Sequence, residues 1–154
     1  MKGVRKAALY KTERSCTNTS VERAVAYTRV STEEQASTGV SLDAQRSRVE
    51  AYCAMAGLEL ARVFREEGVS ASKPLADRPM GSELVTCVGS TIKHVIALKL
   101  DRLFRDAEDA LRQTRQWDQR GVCLHLVDMG GQTLNTSTAM GRFFLNMQIG
   151  RAHV

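Results

Sequence analysis

The sequence lacks long apolar runs, and this absence excludes several classes of protein. No apolar stretch reaches the roughly 18 residues that a membrane span needs, and the N-terminus has no apolar segment of the kind found in secretory signals. The four cysteines form no C-x-x-C pair, so neither a zinc site nor a disulfide framework is expected. We therefore expect a cytoplasmic protein with free, buried thiols.

Common catalytic and nucleotide-binding motifs are also absent. The chain has no G-x-x-x-x-G-K-[ST] loop, no G-x-G-x-x-G and no G-x-S-x-G, so ordinary nucleotide binding and the α/β-hydrolase mechanism lack support. Two of the three histidines, His94 and His125, fall in strand-like apolar runs, where packing or hydrogen bonding is their usual role. A Ser-His-Asp mechanism therefore has no evident base.

The positive charge is unevenly distributed along the chain. The 154 residues carry a net charge of +5, of which residues 1–24 hold +4 and residues 25–154 only +1. There are 16 arginines and 6 lysines, and the guanidinium fork of arginine matches phosphate oxygens. The charge suggests a polyanionic partner. The polar composition of residues 1–22 predicts a flexible basic arm.

Strand-like and helix-like segments alternate along the rest of the chain, whose length suits one domain. The predicted strands are residues 24–30, 58–64, 94–98 and 122–127. The predicted helices are residues 41–57, 79–88 and 107–119, and an amphipathic helix from Thr138 through Met140, Phe143, Phe144 and Met147. The predicted loops are residues 31–40, 66–77 and 130–136. This alternation predicts an α/β fold with a largely parallel sheet, whose active groups lie at the carboxyl ends of strands.

Two polar segments directly follow predicted strands. Ser31 lies two residues beyond Arg29, on the same side of an extended chain. Asp101, Arg102 and Arg105 follow the most apolar strand. Because parallel strands end at one edge of a sheet, we expect these side chains to converge. Arginines can bind a phosphodiester and stabilise its transition state, so the implied reaction is attack of a serine hydroxyl on phosphorus.

Each segment alone also has an ordinary structural interpretation. Ser31 could be a turn or cap residue, and residues 101–106 could be a solvated helix start with local ion pairs. Asp106 could equally be a helix N-cap, Gln45 a plain first-turn helix residue and Tyr27 a core residue. A non-catalytic α/β binding or regulatory module explains the alternation of elements equally well, but it does not explain the serine and arginines together.

In these segments the chain resembles the catalytic domain of the serine recombinases, the resolvase/invertase family. The matching segments follow the family order: residues 27–32, Gln35, and residues 41–45, 77–78, 100–106 and 140–147. The resemblance implies a three-layer fold with a central sheet of four to five strands. It also implies site-specific DNA strand exchange through a 5′-phosphoserine link, with no metal and no cofactor. The implied catalytic residues are the nucleophile Ser31 together with Arg29, Arg78, Arg102, Arg105 and Asp101, and the implied substrate-binding residues are Gln35 and Gln45.

The resemblance also implies partners and boundaries. The partners are double-stranded DNA and further copies of the chain, first as a dimer and then as a tetramer in synapsis. The catalytic domain covers residues 23–136, and residues 137–154 begin a long dimerisation helix. Residues 149–154 depart from the apolar helical pattern and match a translated sequencing adapter, so we expect a truncated helix without the family's DNA-binding domain.

Two further expectations follow from the resemblance. The chain alone is expected to be weakly active or inactive, because the DNA-binding domain is missing. The spacer between Gln35 and Ser41, which contains Gly39, resembles that of the large serine recombinases.

Overall fold

The fold is built on five strands with helices on both faces, as the computed structural model shows for residues 20–36, 41–129 and 133–151. The strands are β1 (Arg23–Val30), β2 (Glu59–Glu67), β3 (Ile92–Ala97), β4 (Cys123–Leu126) and β5 (Leu134–Asn135). The helices are α1 (Thr32–Ala36), α2 (Leu42–Ala56), α3 (Pro79–Cys87), α4 (Leu100–Leu103), α5 (Ala107–Gln119) and α6 (Ala139–Arg151). A single 3₁₀ turn, Leu75–Asp77, precedes α3.

The sheet has the strand order β2-β1-β3-β4-β5. The first four strands are parallel, and β5 pairs antiparallel with β4 through Leu134 and Leu126. The predicted α/β class and the largely parallel sheet are therefore confirmed. Because β1, β2 and β3 are parallel and adjacent, the segments that follow them emerge at the same edge.

Two apolar cores divide the fold into three layers. Alternate residues of β1 point to opposite faces of the sheet. Ala24 and Ala26 pack with Val49 and Tyr52 of α2, whereas Val25 lies in the larger core that α3, α5 and α6 cover. The predicted three-layer arrangement is thus present.

The predicted helix boundaries agree with local capping. The hydroxyl of Ser41 accepts a hydrogen bond from the Ala44 amide at 3.1 Å, and Gly57 ends α2 with φ +71°, which glycine adopts without strain. Asp106 accepts from the Asp109 amide at 2.9 Å, so it is the N-cap of α5.

Several segments predicted as loops contain regular structure. Helix α1 lies within predicted loop 31–40, because Ser31 and Glu34 cap its first turn. Strand β2 continues to Glu67, since its last residues pair with Arg29 and Val30. The 3₁₀ turn and β5 also lie in predicted loops, and both are too short to show a periodicity.

The apolar residues that mark α6 in the sequence are not the ones that the helix buries. Its buried residues are Gly141, Leu145 and Ile149. Its exposed residues, which the sequence marked as the apolar face, are Met140, Phe143, Phe144 and Met147. The helix continues to Arg151 with Ile149 only 3% exposed, so the predicted break in the apolar pattern after residue 148 is wrong.

Three buried side chains between α2 and the sheet and one exposed carboxylate form a hydrogen-bonded series that we call the histidine chain: Tyr52, His125, His94 and the exposed Glu22. The Tyr52 hydroxyl is 2.8 Å from His125 Nδ1, His125 Nε2 is 2.9 Å from His94 Nδ1, and His94 Nε2 is 2.6 Å from the Glu22 carboxylate. Because a carboxylate only accepts, neutral histidines satisfy every link in one direction. Both strand histidines are thus buried and hydrogen-bonded, as the sequence predicts.

Other sequence predictions concern the termini and the cysteines. Cys53 is buried, whereas Cys87 and Cys123 are only half-buried, and all three thiols are free. Cys16, residues 1–19 of the basic arm, the spacer residues 37–40, and His153 in residues 152–154 lie outside the described residues. Glu22, which the sequence assigns to the arm, binds His94. Among the described residues, no helix is long and apolar enough to span a bilayer, and no three or more His, Cys, Asp or Glu residues form a group that could hold a metal ion.

Candidate active site

The polar residues that follow β1 and β3 line a common cleft of about 530 Å³ at the carboxyl edge of the sheet. It brings together five of the residues predicted from the sequence, Arg29, Ser31, Asp101, Arg102 and Arg105. Glu34 of α1 also lines it. The predicted convergence of the two segments is therefore present in the fold.

Arg29 is anchored by backbone carbonyls at this edge. It lies near the end of β1, is 3% exposed, and donates to three backbone carbonyls. Its Nε contacts the carbonyl of Arg102 at 3.3 Å, and its two terminal nitrogens contact the carbonyls of Val69 and Asp101 at 2.9 and 3.1 Å. Arg29 thus ties the segments after β2 and β3 to β1.

Arg102 lies opposite Arg29 and returns one of these bonds. Its Nη1 donates to the Arg29 carbonyl at 3.0 Å, and its Nη2 lies 3.2 Å from Asp101 Oδ2. The same Nη2 lies 2.6 Å from Glu34 Oε1. Asp101, whose side chain is 62% exposed, therefore flanks the guanidinium without burying it. We call Arg29, Ser31, Glu34, Asp101 and Arg102 the arginine cluster.

Ser31 and Glu34 cap the first turn of α1 reciprocally. The Ser31 hydroxyl accepts from the Glu34 amide at 3.2 Å, and Glu34 Oε2 accepts from the Ser31 amide at 2.7 Å. This S-x-x-E arrangement is a capping box. The cap interpretation of Ser31 is therefore correct, and it coexists with a place in the cleft because the half-buried Ser31 lines the cleft together with the arginines.

The cluster holds its charges in fixed states. The hydrogen bond from Arg102, supported by the Ser31 amide, lowers the pKa of Glu34 to about 2. Burial lowers the pKa of Arg29, and the neighbouring Arg102 lowers it further. Burial opposes the charge of Arg102, but its hydrogen bonds with Glu34 and Asp101 raise its pKa overall. Both guanidiniums stay protonated at neutral pH, as arginine does in proteins.

Arg78 lies behind the cleft rather than in it. It is fully buried, and its Nη1 donates to the Arg102 carbonyl at 3.0 Å and to the Tyr27 hydroxyl at 3.3 Å. The Tyr27 hydroxyl donates to Glu66, which also accepts from the Met80 amide. Burial raises the pKa of Tyr27 to about 12, so its hydroxyl stays a donor. Arg78 is placed to position Arg102.

Comparison with known proteins decides the family. The family model for the “Resolvase, N terminal domain” matches residues 24–154. The chain belongs to the resolvase family. It is 30% identical over 125 residues to the R46 site-specific recombinase of Escherichia coli, and 47% identical over 45 residues to the uncharacterized immunity region protein 3 of Bacillus phage phi105. These matches cover 81% and 29% of this chain and only 57% and 55% of the two relatives.

Solved structures agree with this resolvase-family assignment. The N-terminal catalytic domain of TP901-1 integrase superimposes with a TM-score of 0.72 at 29% identity, covering 82% of this chain and 90% of that domain. A resolvase family site-specific recombinase from Streptococcus pneumoniae gives a TM-score of 0.64 at 25% identity, covering 84% of this chain and 88% of that one. The predicted resolvase-like fold is confirmed.

The remaining predicted residues of this resolvase-family chain occupy three different environments. Arg105 lines the cleft, and its Nε donates to Asp106 at 2.8 Å. Gln45 is 1% exposed, and its amide donates to the Arg29 carbonyl and accepts from the Arg29 amide. Gln35 is exposed and donates to Glu67 at 3.1 Å. Gln45 thus fixes the backbone of Arg29 from behind, and Gln35 lies at the rim.

Sequence reasoning missed two carboxylates that organise the site. Glu34 contacts both Arg102 and Ser31, and the S-x-x-E spacing at residues 31–34 was the signal that could have revealed its capping role. Glu66 is 3% exposed and accepts from Tyr27 and from the first amides of α3. No sequence signal marks Glu66, because a charged residue in a predicted loop normally faces solvent.

Proposed function

We propose that this resolvase-family chain is the catalytic domain of a site-specific DNA recombinase, with Ser31 as the nucleophile. One observation carries the proposal: Ser31 shares a cleft with Arg29, Arg102 and Arg105 at the carboxyl edge of a parallel sheet. A hydroxyl supplies a nucleophile, and guanidiniums supply the positive charge that a pentavalent phosphorus transition state needs. The names of the R46 recombinase and TP901-1 integrase support the same reaction class.

In the proposed reaction, the Ser31 hydroxyl loses its proton as its oxygen attacks a DNA phosphorus, the bond from phosphorus to the 3′-oxygen breaks, and the 3′-oxygen takes up a proton and leaves as a hydroxyl. The 5′-phosphate remains on Ser31 until a second 3′-hydroxyl displaces the serine. Each step exchanges one phosphoester for another, so the bond energy is retained. Arg29 and Arg102 hold the phosphate, Arg105 binds from the rim, and Asp101 keeps the Arg102 fork oriented. Arg78 and Gln45 act through Arg102 and Arg29, whereas Gln35 contacts the substrate edge.

The proposed partners are double-stranded DNA and other copies of the chain, in the cytoplasm of a bacterial host. A dimer that pairs into a tetramer would align two DNA duplexes for exchange. The exposed apolar face of α6, which includes Phe143 and Phe144, supports self-association because water-exposed aromatic side chains gain from burial. The reaction as proposed uses neither a metal nor a cofactor.

A suicide-substrate assay tests the proposed chemistry. The chain is fused to a heterologous sequence-specific DNA-binding domain, which raises its local concentration at DNA, and is mixed with nicked duplexes randomised around the nick. The wild type is expected to form a covalent adduct whose tryptic peptide carries a 5′-phosphate on Ser31. The Ser31→Ala variant is expected to bind the same DNA without forming an adduct.

Two results of this assay count against the proposal. An adduct that persists in Ser31→Ala assigns the nucleophile to another residue. The absence of any adduct with the wild type, together with retained DNA binding, favours the non-catalytic module instead.

A further inference from the structure

The Glu34 carboxylate contacts one terminal nitrogen of the Arg102 guanidinium in the cleft, and the other terminal nitrogen donates to the Arg29 carbonyl. Its Oε1 lies 2.6 Å from Arg102 Nη2, and its Oε2 lies 2.7 Å from the Ser31 amide and 3.8 Å from Arg29 Nη1. One anion therefore touches both arginines and the backbone of the proposed nucleophile. A carboxylate and a phosphodiester each present two oxygens that share one negative charge, and arginine recognises both through the same donors.

This carboxylate is held firmly as an anion but not permanently in place. Its side chain is 31% exposed, and it belongs to a helix of five residues at the rim of the cleft. Because the pKa of Glu34 lies near 2, protonation does not release it at physiological pH. Another anion that binds the Arg102 guanidinium can release Glu34, because the Glu34 side chain can rotate into the adjacent solvent.

We propose that Glu34 occupies the phosphate subsite of Arg102 in the DNA-free chain, and that the scissile DNA phosphate displaces it. This inference rests on the proposed function for the identity of the displacing phosphate. Glu34 is then a positioning residue: it keeps the Arg102 fork extended into the cleft before DNA arrives. It also lowers the affinity of the empty site for other anions, since each must break the contact with Glu34 first.

The chain offers a matched control for the test. Glu33 lies one residue earlier on α1 and lines the same cleft. Glu33→Gln and Glu34→Gln remove the same charge from the same turn, but only the second removes the carboxylate that contacts Arg102. Glutamine at position 34 also preserves the capping box, in which either Glu or Gln serves. A difference between the variants therefore reports the specific contact rather than net charge or helix loss.

The test measures binding of inorganic phosphate at constant ionic strength. The probe is the Nε–Hε resonance of Arg102, assigned by its absence from an Arg102→Gln spectrum. Glu34→Gln is expected to bind phosphate about tenfold more tightly than the wild type, as expected when a charge-assisted hydrogen bond no longer competes. Glu33→Gln is expected to change the affinity less than about twofold. Glu34→Asp, which keeps the charge on a shorter stem, should fall between wild type and Glu34→Gln.

The outcomes separate this inference from the proposed function. Equal affinities in wild type and Glu34→Gln, or equal gains in both glutamine variants, would overturn the exchange of anions at Arg102. The phosphate titration requires no DNA cleavage, so a chain that forms no Ser31 adduct can still show the exchange. Conversely, adduct formation on Ser31 with unchanged phosphate affinity in Glu34→Gln supports the recombinase and rejects the role of Glu34.

Discussion

The arginine cluster and the histidine chain lie at opposite ends of the same parallel sheet, and they satisfy buried polar groups in different ways. The arginine cluster keeps full charges at a solvent-accessible edge, where backbone carbonyls and Glu34 hold the guanidiniums. The histidine chain keeps two buried imidazole rings under α2, where each ring nitrogen has one partner. The difference shows where ligand exchange is possible. A charged site that is open to solvent can exchange one anion for another, whereas the buried rings of the histidine chain keep the partners that the fold gives them.

The largest expected effect concerns activity at the arginine cluster. Arg102→Lys keeps the charge but loses the fork that contacts Glu34, Asp101 and the Arg29 carbonyl. We expect the rate of Ser31 adduct formation to fall about 10²–10³-fold, as when one transition-state donor is lost. The measurement is the time course of adduct formation on a suicide substrate, alongside thermal unfolding to verify the fold.

Arg46→Lys is the control for this experiment. Arg46 is exposed on α2 and pairs with Glu50 at 2.7 Å, away from the cleft. It should leave the rate unchanged. If the rate of adduct formation fell equally in both variants, or did not fall in Arg102→Lys, the guanidinium fork of Arg102 would not be required for the reaction.

The sequence predicts the arginine cluster better than the histidine chain, because the two depend on different kinds of interaction. The convergence of Ser31, Arg29 and Arg102 was predictable because strand ends in a parallel sheet share one edge. The pairing of His94 with His125 was not, since it depends on the register of β3 and β4 and on which helix covers them. Sequence alone identified the histidines as structural without identifying their partners.

The errors have the same physical origin. Helix α6 carries two apolar stripes, one through Gly141 and Leu145 and one through Phe143 and Phe144, and periodicity cannot say which one faces the sheet. The end of β2 was predicted as part of a loop because residues 66–77 are polar and contain glycine, serine and proline. The buried Glu66 nevertheless lies in the strand, where it accepts hydrogen bonds from Tyr27 and the amides of α3. In both cases a contact between distant parts of the chain determines the structure, and the local sequence pattern does not show that contact.

The second expected effect is a loss of stability in acid that originates in the histidine chain. Burial, with a smaller contribution from the neighbouring His94, lowers the pKa of His125 to about 4. An unfolded histidine takes up its proton near pH 6.5, so between pH 6.5 and 4 the unfolded state binds more protons and stability falls as the pH falls. The expected loss across this window is about 3 kcal/mol, measured by urea unfolding at several pH values.

A variant distinguishes this slope from those of the other titrating groups. His125→Gln is expected to be less stable at pH 7, because Tyr52 and His94 lose their hydrogen bonds to the His125 ring. Its free energy of unfolding should, however, change much less between pH 6.5 and 4. Glu34 contributes in a lower window, since its pKa is depressed to about 2 and its stabilisation is lost only as pH falls from about 4.5 towards that value. A slope that survives in His125→Gln would place the acid sensitivity elsewhere.

The smallest expected effect lies at the open end of the histidine chain. Glu22 accepts from His94 at 2.6 Å, but its side chain is 67% exposed, so water can take over the bond when the charge is removed. Glu22→Gln is expected to lower the free energy of unfolding by no more than about 0.5 kcal/mol, measured by urea unfolding at pH 7.

Tyr52→Phe, at the buried end of the histidine chain, is expected to lower the free energy of unfolding by about 1–2 kcal/mol, because it leaves a buried His125 nitrogen without its donor.

Comparing the losses of unfolding free energy in Glu22→Gln and Tyr52→Phe tests whether the exposed carboxylate stabilises the fold as much as the buried hydroxyl does. If Glu22→Gln cost as much as Tyr52→Phe, the carboxylate would be a buried ionic partner, and the two ends of the sheet would hold their charges alike. Glu22→Gln is expected to change the free energy of unfolding little, whereas Glu34→Gln is expected to raise the affinity for phosphate. Together these results would show that the two carboxylates have different roles. At one end the carboxylate is replaceable by water, and at the other it competes with the ligand.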